Sequence, residues 1–246
     1  MNDLGESTLI VTPTYNEREN LEPFVAGLRR VAPRADVLIV DDASPDGTGE
    51  LAARLASHDP QIRVLHRASK LGLGSAYVEG FQLGLAGRYR VFFEMDADLS
   101  HDPKFLPSFF AALGRGADVV LGSRNVPGGR IEGWGPGRHL LSKGGSLYAR
   151  LVLGVGTRDL TTGYKAYTRQ ALERIELGRI RSNGYSFQIE TTYRALKAGL
   201  NVVEVPIVFV DRRAGESNMD ARICLEAVAV AWKLRAEALR RGRPPR

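Results

Sequence analysis

Five short apolar runs, each separated from the next by a longer stretch, limit this chain more than any other feature. They are residues 8–12 (TLIVT), 36–41 (DVLIVD), 62–66 (IRVLH), 91–96 (VFFEMD) and 118–122 (DVVLG). Rich in Val, Ile and Leu and without polar alternation, they read as strands covered on both faces. Helical patterns lie between them. One covers 17–31 after Asn16, which is placed to cap with Glu19, and another covers 47–57 after Asp46. A third covers 103–113 after Asp102, with Pro at its first position. Strand and helix in alternation demand an α/β fold with a mostly parallel central sheet flanked by helices. Ligands of such sheets bind beyond the carboxyl ends of the strands, so the chemistry is sought there.

After the fifth run the character changes. Residues 124–139 (RNVPGGRIEGWGPGRH) hold five Gly and two Pro, the composition of a mobile loop. Helices are expected at 140–153 and near 187–198, a strand at 202–210 and a last helix from about Asp220. At 246 residues and 43% hydrophobic, the chain can bury a sizeable core. Its single Cys224 excludes an internal disulfide and a multi-cysteine zinc site, and reads as a packed small side chain. No uncharged run exceeds about ten residues, half of what a membrane span needs. The opening MNDLGEST lacks the pattern of a signal peptide, so a cytoplasmic protein is expected. The net charge is +6, and from Lys233 onward six basic residues face only Glu237. Such a tail suits an anionic surface, nucleic acid or plain solvent.

Four strand-end segments carry the chemistry. In EMDADLSHDP, Asp96 and Asp98 sit one residue apart, so extended backbone turns both to one side. Paired carboxylates repel unless a cation lies between them, and Mg²⁺ binds through one or two carboxylates plus substrate phosphates. The plainer reading is a pair of strand-end acids. In VDDASPDGT, a carboxylate can accept both a ring N–H and an exocyclic amine of guanine, whereas uracil offers one such donor. In TPTYNE, Tyr15 offers a flat face for a base or is a core aromatic, and Glu17 opens a helix. In HRASKLGLGSA, Lys70 precedes a glycine-flanked turn of the kind that holds phosphate. His58, His66 and His101 are singly placed and suit surface or core roles. Trp134 suits a lipid contact, a donor cover or plain exposure.

In this order and spacing the four segments resemble the family-2 glycosyltransferases with the GT-A fold, over roughly 8–219. GSRN around Arg124, DLTTGYKAY at 159–167, GYSFQIE at 184–190 and FVDRRAGES at 209–217 make the chain similar to polyprenol-phosphate (dolichol-phosphate) mannose synthases of the soluble type. The resemblance implies donor contacts at Pro13, Tyr15, Glu17, Val40, Asp42, Asp96, Ala97, Asp98 and Arg212, and Lys70 joins them from its own turn. It implies acceptor-phosphate contacts at Arg124, Arg138 and Ser142. It implies Mg²⁺ or Mn²⁺ on Asp96 and Asp98, with Ser100, where many members have Gln, as a further metal residue directly or through water. Asn218 stands where the family's motif has Lys. The implied reaction is inverting transfer of mannose from GDP-mannose to a polyprenyl monophosphate, with Asp98, Arg124 and Arg138 as catalytic residues. UDP-glucose or another donor, and a scaffold without catalysis, remain alternatives. The implied layout is a catalytic unit over 1–219, with an acceptor segment at about 124–153, then a C-terminal helix and basic tail over 220–246.

A peripheral position on the cytoplasmic face of the membrane is expected. Leu140, Leu141, Leu147, Tyr148, Leu151 and Val152 share an arc of about 140° on their helix, beside His139, Lys143 and Arg150 within about 40°. A small membrane-anchoring protein is a further expected partner. Nucleic acid is not, because the basic charge is terminal and lacks interleaved aromatics.

Overall fold

The structure is a computed structural model, and it describes residues 5–211 and 221–240. Seven strands form one sheet: β1 (Thr8–Thr14), β2 (Asp36–Asp41), β3 (Ile62–His66), β4 (Val91–Glu94), β5 (Val119–Ser123), β7 (Lys165–Thr168) and β8 (Val202–Pro206). Their order is β3-β2-β1-β4-β7-β5-β8. Every pairing is parallel except the two made by β7. A separate two-stranded sheet joins β6 (Arg130–Glu132) to β9 (Val208–Val210).

The strands are apolar on both faces because both are covered. Ile10, Ile39 and Phe93 point to the layer of α1 (Arg18–Val31), α2 (Thr48–His58) and α4 (Leu106–Gly114). Leu9, Val11 and Phe92 point to α3 (Leu73–Leu85), α6 (Arg169–Ile175) and α7 (Gly184–Lys197). A third cluster fastens α5 (Pro136–Leu153) and α8 (Ala221–Arg240) to α7 through Leu153, Ile189, Tyr193, Ala231 and Leu234.

The structure departs from the sequence-based expectations in three places. The 124–139 segment is not wholly a loop, since β6 lies within it and α5 begins at Pro136, before residue 140. The expected 202–210 strand breaks at Ile207, where β9 leaves the main sheet to pair with β6. Asn16 does not cap α1. Its φ is 60°, and Glu17 holds the cap position without a side-chain cap bond. The α1 amides are satisfied instead from the turn after β2: Glu17 N–H donates to Thr48 Oγ1 at 3.0 Å and Arg18 N–H to Asp46 Oδ2 at 3.3 Å. Asp102 does cap as expected, accepting from the Lys104 amide at 2.9 Å.

Candidate functional site

The turns after β1, β2 and β4 close around one cavity of about 290 Å³. Pro13, Tyr15, Glu17, Asp42, Lys70, Asp96 and Asp98 line it, so most of the expected donor set converges there. Each turn contains a non-glycine residue in the left-handed region, Asn16, Ala43 and Leu99, and such backbone persists only where its surroundings enforce it. The side chains of Val40 and Ala97 are buried in the core rather than in the cavity wall, leaving only their backbone for a ligand. Arg212 lies outside the described residues, as does Asn218.

Tyr15 is an exposed ring rather than a core aromatic, and Lys70 Nζ stands 3.8 Å from its centroid. The two glycine amides of the turn after Lys70, expected to be open to an anion, already have partners. Gly72 N–H donates to Asp42 Oδ2 at 2.9 Å and Gly74 N–H to Asn183 Oδ1 at 2.7 Å. Asp42 also accepts from Arg67 Nη1 at 2.5 Å in a buried ion pair. Both its oxygens are therefore engaged in holding the turn, and any base placed against Asp42 would have to share them.

Asp96 and Asp98 reach the cavity by different routes. Asp96 accepts from the Tyr77 hydroxyl at 2.9 Å, and its amide donates to His101 Nδ1 at 3.0 Å. Burial, together with the charges of Asp96 and Glu94, pushes the Tyr77 phenol well up, so it stays a donor. His101 is thus buried and stacked on Tyr164, a core role that braces the turn carrying Asp96 and Asp98. Asp98 Oδ1 accepts from the Ser100 amide at 3.0 Å and from its hydroxyl at 2.5 Å. Ser100, expected as a metal residue, donates its proton to Asp98 and steadies it, while its oxygen lone pairs stay available. Among the described residues no group of three His, Cys, Asp or Glu gathers to hold a metal. Two carboxylates opening into one cavity fit a hard divalent ion whose remaining positions are filled by diphosphate oxygens and water.

Below the cavity floor lies a buried polar group that the sequence does not reveal. Glu94 on β4 stands in register with Lys165 on β7. Lys165 Nζ donates to the Gln188 carbonyl and to Thr191 Oγ1, both at 2.9 Å, and the Tyr167 hydroxyl donates to Glu94 at 3.0 Å. Burial pushes the Glu94 carboxyl up to about 7, against the pull of Lys165. It pushes the Lys165 ammonium down to about 8, against the pull of Glu94 and Asp159.

A second cavity, of about 410 Å³, opens beside the first. Arg124, Lys143, Ser146, Leu147, Arg150 and Arg158 are among its lining residues, and none of the lining residues is acidic. Arg124 is less available than expected. Its Nε and Nη2 donate to the two oxygens of buried Asp159, both at 2.7 Å, and Nη2 also donates to Thr161 Oγ1 at 2.8 Å. Burial pushes the Asp159 carboxyl up, but the Arg124 charge and hydrogen bonds outweigh it and hold it below the usual range. Arg138 and Ser142 lie in the first turns of α5, and their side chains are outside the described residues. Ser146 and Arg158 were not foreseen. The spacing of Lys143, Ser146 and Arg150 along one helix face was the available signal. Ser146 Oγ lies 3.4 Å from Thr161 Oγ1, and Thr161 also lines the first cavity. The acidic cavity and the basic one therefore meet at Arg124 and Thr161. Trp134 neither covers the first cavity nor stands free. It packs edge-on against Phe209, with ring centroids 5.5 Å apart.

Comparison with known proteins gives concordant results. The sequence profile described as glycosyl transferase family 2 matches residues 9–176. A polyprenol monophosphomannose synthase of Mycolicibacterium smegmatis is 48% identical over 233 residues, covering 94% of this chain and 88% of that one. An undecaprenyl-phosphate mannosyltransferase of Micrococcus luteus is 49% identical over 230 residues, covering 93% and 94%. Among solved structures, glucosyl-3-phosphoglycerate synthase from Mycobacterium tuberculosis, in complex with Mn²⁺, UDP-glucose and phosphoglyceric acid, superposes with a TM-score of 0.70. It covers 96% of this chain and 81% of that one at 20% identity, and so shares the fold.

Proposed function

The chain belongs to glycosyl transferase family 2 and has the GT-A fold, and from that premise we propose that it transfers mannose from GDP-mannose to a polyprenyl monophosphate with inversion. The observation that carries the reading is the meeting of the two cavities at Arg124 and Thr161. One offers carboxylates and a lysine-backed aromatic to a nucleotide diphosphate. The other offers arginines and a lysine to a phosphate. The names of the two close relatives, a polyprenol monophosphomannose synthase and an undecaprenyl-phosphate mannosyltransferase, point to the same pair of substrates.

In the proposed reaction an oxygen of the lipid phosphate attacks the anomeric carbon of the sugar. The new C–O bond forms as the bond to the nucleoside diphosphate breaks, and GDP leaves with its electron pair. A phosphate is already anionic near neutral pH, so the chain need supply no strong base. Its work is electrostatic and positional. Pro13, Tyr15, Glu17 and Asp42 seat the nucleoside, with Val40 and Ala97 contributing backbone, and Arg212, outside the described residues, keeps the donor role that the resemblance implies. Lys70 faces the diphosphate. Asp96 and Asp98 hold Mg²⁺ or Mn²⁺, which when bound neutralises charge on the departing diphosphate. Arg124, Arg138 and Ser142 hold the acceptor phosphate, joined by Lys143 and Arg150, with arginine favoured for bidentate contact. No helix among the described residues is long and apolar enough to cross a membrane; the proposed lipid acceptor, rather than that absence, is the ground for placing the enzyme at a membrane surface, on the cytoplasmic face.

The test is transfer of label from GDP-mannose to polyprenyl phosphate in detergent, with Mg²⁺, with Mn²⁺ and with chelator, and with UDP-glucose in parallel. Metal-dependent label from GDP-mannose is expected, and Asp98→Ala is expected to lose about a thousandfold in turnover. Label without metal, or full activity in the variant, overturns the metal assignment. Label from UDP-glucose alone overturns the donor. That second donor is kept in view by Asp42, whose two oxygens are already engaged.

A further inference from the structure

The exposed apolar side chains of α5 and α8 gather on one surface. Leu147 and Leu151, one turn apart on α5, are 52% and 74% exposed, and Trp232 on α8 is 58% exposed. The Trp232 indole N–H donates to the Tyr148 hydroxyl at 2.7 Å, which ties the two helices together at this surface. Val228, one turn before Trp232, is also exposed. Large apolar side chains held in water beside one another mark a surface that meets something.

The rim is cationic. Leu147 edges the basic cavity lined by Lys143, Arg150 and Arg158, and Arg150 Nε is buried there without a hydrogen-bond partner. Lys233, exposed, follows Trp232. An indole with its polar atom satisfied, leucines alongside and basic residues around them match the headgroup boundary of a bilayer. The charge selects its kind, because a cationic rim gains from anionic lipid and nothing from a neutral one. It also disfavours a twofold contact, which sets the cations of one copy against those of the other.

We propose that the face built by Leu147, Leu151 and Trp232 docks on an anionic phospholipid bilayer, with the basic cavity opening toward the headgroups. The inference rests on the lipid acceptor proposed above. It deepens that reading by naming the surface and the lipid charge. In this pose the acceptor phosphate enters the cavity beside Arg124 while its polyprenyl tail stays in the bilayer.

The test is cosedimentation of the full chain with vesicles of phosphatidylglycerol and phosphatidylcholine, against phosphatidylcholine alone. Binding to the mixed vesicles only, weakened by salt, is expected. Leu151→Glu with Trp232→Ala is expected to bind at least about tenfold more weakly. Its transfer of mannose to a short, water-soluble prenyl phosphate is expected to stay unchanged, which also verifies its fold. Leu151→Gln alone is the milder second variant, expected to weaken vesicle binding by a smaller factor. Equal binding by parent and variants, no vesicle binding at all, or loss of transfer to the short acceptor each overturns the proposal. A dimer that the variant dissociates assigns the face to a second copy and overturns it too. If the parent transfers to no acceptor yet binds anionic vesicles, the reaction assignment falls while the docking face stands.

Discussion

At the scale of single residues, buried ion pairs between distant segments shape both cavities. Arg67 holds Asp42 across 25 positions of sequence, and Arg124 holds Asp159 across 35. Removing one member of a buried pair leaves a charge without compensation, so Asp159→Asn is expected to cost about 3 kcal/mol near neutral pH. The sign of its pH dependence follows from the lowered Asp159 carboxyl. The stabilisation is complete above the unfolded carboxyl value, about 4, and is lost as pH falls through the lower folded value. Denaturant unfolding at about pH 7 and about pH 3 checks this, with the gap between parent and variant narrowing in acid. Asp96 and Asp98 were legible because their signal is local, two acids at one strand end. Arg67, Asp159 and Tyr77 were not, because each acquires its role from a partner that only the folded chain brings near. Ser100 and Arg124 were found by resemblance, yet it did not disclose that each is committed to a neighbouring carboxylate.

Among the elements, the parallel strands and the helices between them were legible because hydrophobic periodicity is a local signal, whereas the cap of α1, supplied by Thr48 and Asp46 from another turn, was not. β7 was not. Its sequence KAYT opens on Lys165, which reads as a surface residue and is instead fully buried against Glu94 and Thr191. β6 was hidden for a different reason, since RIE has no apolar run and exists as a strand only because β9 pairs with it. The turn between β3 and α3 shows how tightly elements are joined. Gly72 has φ +96°, and a Cβ there would lie 2.2 Å from Asn183 Nδ2. Asn183 in turn caps α7 and accepts from the Gly74 amide. Gly72→Ala is expected to cost about 2 kcal/mol or more and to raise the donor KM several-fold, because Lys70 precedes this turn. A thermal melt and initial rates against donor concentration check both. Equal KM in parent and variant removes the turn from donor binding.

For the whole molecule, the C-terminal helix is part of the body. α8 packs on α5 and α7 through Ala231 and Leu234, so it supports the helix that lines the basic cavity. Ending the chain after residue 219 is expected to cost about 4 kcal/mol and lower the melting temperature by roughly 10 °C. Calorimetry of the shortened chain measures it, and an unchanged melting temperature shows that α8 supports nothing. The charge of the tail was legible in the sequence, but the packing of α8 was not, since its apolar residues fit an exposed amphipathic helix equally well.

The antiparallel strand in the middle of the sheet also sets an order in time. β4 and β5 follow one another in the chain, yet β7 lies between them in the sheet. β5 ends at Ser123, and the strand that joins it to β4 runs from Lys165 to Thr168. During synthesis, β1 to β4 can therefore assemble, with Asp96 and Asp98 already emerging at their edge, while β5 has no place to dock. Every residue of β5 is buried in the finished protein. For the time a ribosome takes to add the next forty or so residues that strand lacks β7, and its other partner, β8, is made later still. Of the strands in this sheet, β5 is thus the one left longest after its own synthesis with both edges open to a wrong partner.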